Sequence, residues 1–203
     1  WASEMSASPP ALPCPVLPPE LAAPLDLLAA ELLRWNRRIN LTGYRSPEEV
    51  RVGLFLDALA LLPHLVGDSL LDIGSGAGFP GLVLALARPE LAVTLLEPRA
   101  KRVSFQKQAI RSLSLVNVRA VQGRAGDGPD AALPGEVFST VTVKAVGSLA
   151  DSLALARPYL APGGRILLPR GRHDREAALA AGLRVVDYEL PPPGGRRIIV
   201  LAA

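Results

Sequence analysis

Asp72-Ile73-Gly74-Ser75-Gly76-Ala77-Gly78 sets three glycines at alternate positions directly behind an apolar run, with a carboxylate ahead of the first. Glycine turns the backbone tightly and lets a ligand approach where a Cβ would block it. A helix expected to begin near Phe79 would offer unpaired N–H groups to the same ligand. About twenty residues on, Glu97 ends a second apolar run, Thr94-Leu95-Leu96, where a carboxylate can accept both hydroxyls of a ribose. The pair reads as a site for a nucleoside-bearing cofactor. The plainer reading of Glu97 is a surface acid paired with Arg99 or Lys101.

Two cofactors compete for the loop. Gly76-Ala77-Gly78-Phe79-Pro80-Gly81 fits the Gly-x-Gly-x-x-Gly pattern of dinucleotide sites, which alone is weak evidence. That fingerprint begins late, and Pro80 stands where a helix donor should meet pyrophosphate. S-adenosylmethionine has no pyrophosphate, and the Asp72 carboxylate can reach its ammonium directly or through water. The residues therefore favour S-adenosylmethionine and methyl transfer, with Asp72, Gly74, Gly76 and Gly78 at the site. A nicotinamide-dependent oxidoreductase is the alternative from another class.

These residues need a frame. From Leu70 onward β-rich runs alternate with helical ones. Strands are expected over 69–73, 92–97, 116–121, 140–144 and 165–168, with helices over 79–87, 100–113, 149–159 and 174–181. Such alternation predicts a doubly wound, mostly parallel α/β sheet with helices on both faces. Residues 184–190 and 196–201, joined by Pro191-Pro192-Pro193-Gly194-Gly195, read as two further strands, the last antiparallel. Seven strands result. Lys144 ends the fourth strand on the ligand side and is the charged residue expected to face the reaction centre as a positioning group.

Ahead of the sheet, Leu25, Leu28, Leu32, Trp35 and Ile39 recur at helical spacing. Ser46-Pro47-Glu48-Glu49 carries a capping box that starts a second helix. Residues 20–66 thus form a helical appendage, residues 67–203 the cofactor-binding domain, and residues 1–19, with six prolines, a disordered or extended tail. Trp35 reads as a core anchor. Asn40 and Thr42 read as braces of the turn between the helices. Asp57, among Leu54, Phe55, Leu56 and Leu59, must face solvent or pair with an arginine, because an unpaired buried carboxylate is costly. His64 and His173 read as surface residues.

Composition sets the outer bounds. The chain has 203 residues, 49% hydrophobic, with one cysteine, Cys14, which rules out an intrachain disulfide and a thiolate cluster. No apolar run is long enough to cross a bilayer. The start lacks the pattern of a secretory signal, and Met5 reads as a natural start, so a cytoplasmic monomer is expected with no metal. The net charge is +3, and arginines cluster at 34, 37 and 38, at 99 and 102, at 170, 172 and 175, and at 196 and 197. Solvated surface is the bland reading of each cluster. Several beside one cleft would mark RNA, with Arg37, Arg38, Asn40, Arg170 and Arg197 as contact candidates.

Trp35-Asn36-Arg37-Arg38-Ile39-Asn40-Leu41-Thr42 and the run from Asp72 through Phe79-Pro80-Gly81 resemble the bacterial small-subunit ribosomal RNA guanine-N7 methyltransferases, also called glucose-inhibited division protein B. Arg88-Pro89-Glu90, Lys101-Arg102-Val103, Gly123-Arg124-Ala125 and Gly163-Gly164 follow in consistent order. The resemblance implies S-adenosylmethionine held by Gly74, Phe79 and Glu97, with Ala125 and Gly126 beside the adenine. It also implies a guanine of small-subunit ribosomal RNA, naked or in a ribosomal particle, as substrate. The chain differs at Gly53 and Leu54, where the family has a basic residue and a histidine, and at Ala58, where it has serine. It differs again at Gly126, usually acidic, at Lys144, usually arginine, and at Arg170, usually lysine.

Overall fold

In a computed structural model, residues 12–126, 132–144 and 147–203 are described. The strands are β1 (Ser69–Ile73), β2 (Ala92–Glu97), β3 (Val118–Gln122), β4 (Phe138–Val143), β5 (Leu160–Gly171), β6 (Arg184–Leu190) and β7 (Gly195–Ala202). They lie in one sheet in the order β3-β2-β1-β4-β5-β7-β6. The first five run parallel, and β7 inserts antiparallel between β5 and β6. β1 and β4, both buried, meet where the strand order reverses, and a doubly wound sheet opens its ligand crevice beyond the strand ends at that point.

Helices α4 (Gly81–Ala87), α5 (Ala100–Ser112), α6 (Leu149–Ala156) and α7 (Arg175–Ala180) connect the strands. The helix after the glycine loop starts two residues later than expected. Phe79–Pro80 is a cis peptide, and the helix forms only beyond it. Val116 is fully exposed, so β3 begins at Val118; the β-rich composition there belongs to a surface turn.

Two apolar cores flank the sheet. One holds Leu71, Ile73, Val141, Val143, Ile166 and Ile198. The other joins Leu70, Leu82, Leu84 and Leu95 to Leu25, Leu28 and Leu32 of α1 (Ala22–Asn36). The appendage is thereby locked to the sheet by hydrophobic burial. Trp35, half-buried, sets its ring edge-on to Phe105 of α5 at 5.8 Å.

The second appendage helix opens with the expected capping box of Ser46 and Glu49. It then departs from α-helical form: α2 (Pro47–Val50) passes into a π-helical stretch, Arg51–Leu56, before α3 (Asp57–Leu59). Chain ahead of α1 is not wholly free. Leu12 N–H donates to Asp187 O at 2.8 Å and bridges to Tyr188 on β6, so this end of the tail takes the extended of the two forms expected for it. The rest of the tail, residues 1–11, lies outside the described residues.

Candidate active site

A cavity of about 590 Å³ opens beyond the ends of β1, β2, β3 and β4. Each strand end supplies a wall: Ile73 to Ala77 after β1, Glu97 to Arg99 at β2, Gly123 to Ala125 after β3 and Lys144 after β4. Leu41, Thr42 and Leu54 of the appendage close it on another side. Of the residues singled out in the sequence, Gly74, Gly76, Phe79, Glu97, Ala125 and Lys144 are brought together here. Asp72, Gly78 and Gly126 are not among the walls.

The loop is fixed from inside. Gly74, Gly76 and Gly78 all take positive φ, which side chains disfavour. Gly76 N–H donates to Glu97 Oε2 at 2.9 Å, and Arg99 N–H donates to Oε1 at 3.0 Å. The buried Glu97 therefore ties the loop to the end of β2, with Arg102 Nη1 at 3.8 Å supplying positive charge. It is no exposed acid. Gln106 on α5, fully buried, donates to Ser75 Oγ and to Gly76 O, both at 2.8 Å. Nothing in its position marks Gln106 in the sequence; only the packing of α5 under the loop reveals it.

The expected helix donors are used internally. Gly78 N–H and Phe79 N–H both donate to Ser75 O, and Gly81 N–H donates to Asp72 Oδ2 at 3.0 Å. Asp72 is thus a different kind of residue from the one expected. Its carboxylate is completely buried, and Thr142 Oγ1 reaches Oδ1 at 3.2 Å. Burial pushes its pKa up to about 7, against the pull of Gly81 N–H, Thr142 and the Lys144 charge. It braces the loop from behind rather than presenting oxygen to the cavity.

Lys144 follows directly on β4, which ends at Val143, one residue short of the expected strand, and its ammonium is already held. Nζ lies 2.6 Å from Asp57 Oδ2, and the buried Tyr188 of β6 donates its hydroxyl to Asp57 Oδ1 at 2.7 Å. Asp57 pairs with a lysine and a tyrosine, not with solvent or an arginine. Burial and the Asp57 carboxylate raise the Tyr188 phenol far above its ordinary range, so it remains a donor. Beyond this group lies a second cavity of about 260 Å³, which shares Lys144 with the first.

Other expectations shift by one residue or one layer. The turn between the helices is braced by buried Asn36, whose Oδ1 accepts from Leu41 N–H and Thr42 N–H and whose Nδ2 donates to Thr42 O and Tyr44 O. Thr42 takes part, and Asn40 stays exposed at the rim. Arg37 and Arg38 are exposed; Arg170 is turned inward, donating to Gly147 O, Ser148 O and Ser152 Oγ. His64 is buried, with its pKa lowered first by burial and then by the cations of Arg184 and Arg165. His173 is exposed, as expected.

The cavity fits S-adenosylmethionine on its own terms. Its floor is glycine backbone at positive φ where a Cβ is absent, and its buried acid lies at the end of β2, where a ribose is bound in this fold class. Among solved structures, a methyltransferase from Geobacter sulfurreducens superposes with a TM-score of 0.61 at 17% identity, covering 91% of this chain and 92% of that one. A SAM-dependent methyltransferase from Aquifex aeolicus does so at 0.58 and 18%, covering 77% and 93%. These likenesses establish the class I methyltransferase fold. The ribosomal RNA small subunit methyltransferase G of Myxococcus xanthus is 43% identical over 194 residues, 91% of this chain and 88% of its own length. Residues 22–185 match the family model described as rRNA small subunit methyltransferase G. The chain belongs to that family of S-adenosylmethionine-dependent ribosomal RNA methyltransferases.

Proposed function

We propose that the protein transfers the methyl group of S-adenosylmethionine to N7 of a guanine in small-subunit ribosomal RNA. The observation that carries the choice of atom is the state of the acids. Glu97 is the one acidic residue among the described walls of the cavity, and both its oxygens accept backbone N–H groups. No wall residue is therefore poised to remove a proton. Guanine N7 carries a free lone pair and no proton, so its attack on the sulfonium methyl requires alignment and exclusion of water but no base. Alignment of this kind can contribute up to roughly 7–11 kcal/mol.

The cofactor supplies an electrophilic methyl on sulfur. Gly74, Gly76, Phe79 and Ala125 hold it, and Glu97 takes its ribose; Asp72, Gly78 and Gly126 shape the loops from behind. Lys144, fixed by Asp57, marks where the nucleophile enters. The RNA strand is drawn by positive charge. Arg99, Arg102 and Arg124 rim the cofactor cavity, and a shallow groove beside it runs between Asn40 and the Arg99–Arg102 segment, close in sequence to the exposed Arg37 and Arg38. Clustered arginines on one side of the cleft give a sequence-independent hold on phosphates.

The test is mass mapping of small-subunit ribosomal RNA from cells with and without the protein, with methyl transfer to isolated small-subunit particles and to naked RNA as its in vitro counterpart. A guanine gaining one methyl at N7 only when the protein is present is the expected result. A methyl found on an oxygen or an exocyclic amine overturns the choice of atom.

A further inference from the structure

The cavity behind Lys144 has chemistry of its own. Tyr44, Gly53, Asp57, Lys144, Arg170 and Arg197 are among its walls, and it has less than half the volume of the cofactor cavity. Its charges are almost balanced. Lys144 pairs with Asp57 at 2.6 Å, and Arg170 is 3.8 Å from Asp174. Arg197 on β7 is the remaining cation, and among the described residues no carboxylate lies within ion-pair distance of it. Its Nε is buried without a hydrogen-bond partner. A guanidinium held in a cavity with unspent donors is the group best suited to grip a phosphate through paired N–H bonds.

We infer that this second cavity is a subsite for one RNA phosphodiester, with Arg197 as its ligand, next to the nucleotide whose base is methylated. Lys144 is the wall residue common to both cavities, so the phosphate subsite adjoins the cofactor cavity. Tyr44 adds a ring, half-buried, beside which a ribose or base can rest. The neighbouring Arg196 differs: it is exposed and lies 3.7 Å from Glu189, so it serves as an internal control.

This inference rests on the RNA reading above, and its test keeps the two apart. Binding of small-subunit RNA to the full chain is measured against salt concentration for the wild type, Arg197→Gln and Arg196→Gln. Adenosylhomocysteine affinity, by calorimetry, reports on the cofactor cavity in the same samples. One lost phosphate contact lowers the slope of log affinity against log salt by about 0.7 on single-stranded RNA. The expected result is that loss in Arg197→Gln, with a several-fold higher KM for RNA, unchanged adenosylhomocysteine affinity and an unaltered slope in Arg196→Gln. Wild-type slope and KM in Arg197→Gln, with RNA still methylated, overturn the subsite and leave the RNA reading standing. Absence of methyl transfer to RNA by the wild type overturns that reading and the subsite together.

Discussion

Lys144 and Asp57 are 87 residues apart in sequence and 2.6 Å apart in space. The contact ties the end of β4 to the appendage, and Tyr188 extends it to the far edge of the sheet. Two strands of the sheet and the appendage thus meet at one carboxylate, which holds the ammonium group between two cavities.

The pair should be worth more to catalysis than to cofactor binding. Asp57→Asn removes the counter-ion, leaving a side chain only 26% exposed to hold its charge alone. The expected loss of stability is about 2 kcal/mol, below the range for fully buried pairs because Lys144 still reaches water. Methyl transfer should fall roughly tenfold, corresponding to about 1.4 kcal/mol, with adenosylhomocysteine affinity unchanged. A double-mutant cycle with Lys144→Gln should show strong coupling. Independent effects of the two substitutions would show that the lysine is not positioned by Asp57.

Glu97 holds the loop and lines the cavity proposed for the cofactor. Its replacement by alanine should weaken adenosylhomocysteine binding by at least roughly tenfold, about 1.4 kcal/mol, because Gly76 N–H and Arg99 N–H lose their acceptor as the ribose loses its own. Calorimetry reads this directly. An affinity within a factor of two of wild type would remove the residue from the site.

The frame was more legible than the site. Alternation of β-rich and helical runs depends on local patterning, so the parallel sheet with its covering helices can be read from it, whereas the order of the strands, set by long-range pairing, cannot. The glycine loop and Glu97 were readable because backbone curvature and strand-end position are local properties. Asp72 was readable only as a carboxylate beside a loop. Whether it faces the cavity or Gly81 N–H depends on where the following helix starts, which spacing does not encode. Gln106, Asn36 and Tyr188 act through partners reached by tertiary packing, and Arg197 is distinguished from Arg196 only by what surrounds each.

Gly53, where the family carries a basic side chain, has a local cause in Tyr44. A Cβ at Gly53 would overlap the Tyr44 ring at Cζ and the hydroxyl. In wild type, Gly53→Ala should therefore destabilise the protein by about 1–3 kcal/mol as the ring is displaced. In a Tyr44→Ala background the same change should stabilise by about 1 kcal/mol, because alanine is the better helical residue once the space is open. The sign reversal is read from urea midpoints of the four proteins. Equal effects in both backgrounds would mean that the ring does not set the identity of residue 53.

Asp72 makes stability depend on pH in a direction opposite to that of most carboxylates. Its folded pKa, pushed up to about 7, stands above the ordinary 3.8 expected for the unfolded chain. Below that lower value both states hold the proton, and the contribution of this group is fully present. Between the two values the folded state binds more protons than the unfolded one, so unfolding free energy falls as pH rises and levels off above about 7. His64, its pKa depressed below 6.5, acts with the other sign and loses its contribution as pH falls. Both groups therefore bend the profile, and only a difference separates them. Asp72→Asn keeps an acceptor for Gly81 N–H but has no charge to bury. The wild type should lose stability relative to this variant, on the order of a few kcal/mol, between about pH 4 and about pH 8. Urea unfolding across that range checks it, and parallel curves for the two proteins would mean that the Asp72 carboxyl ionises in the folded chain as readily as in the unfolded one.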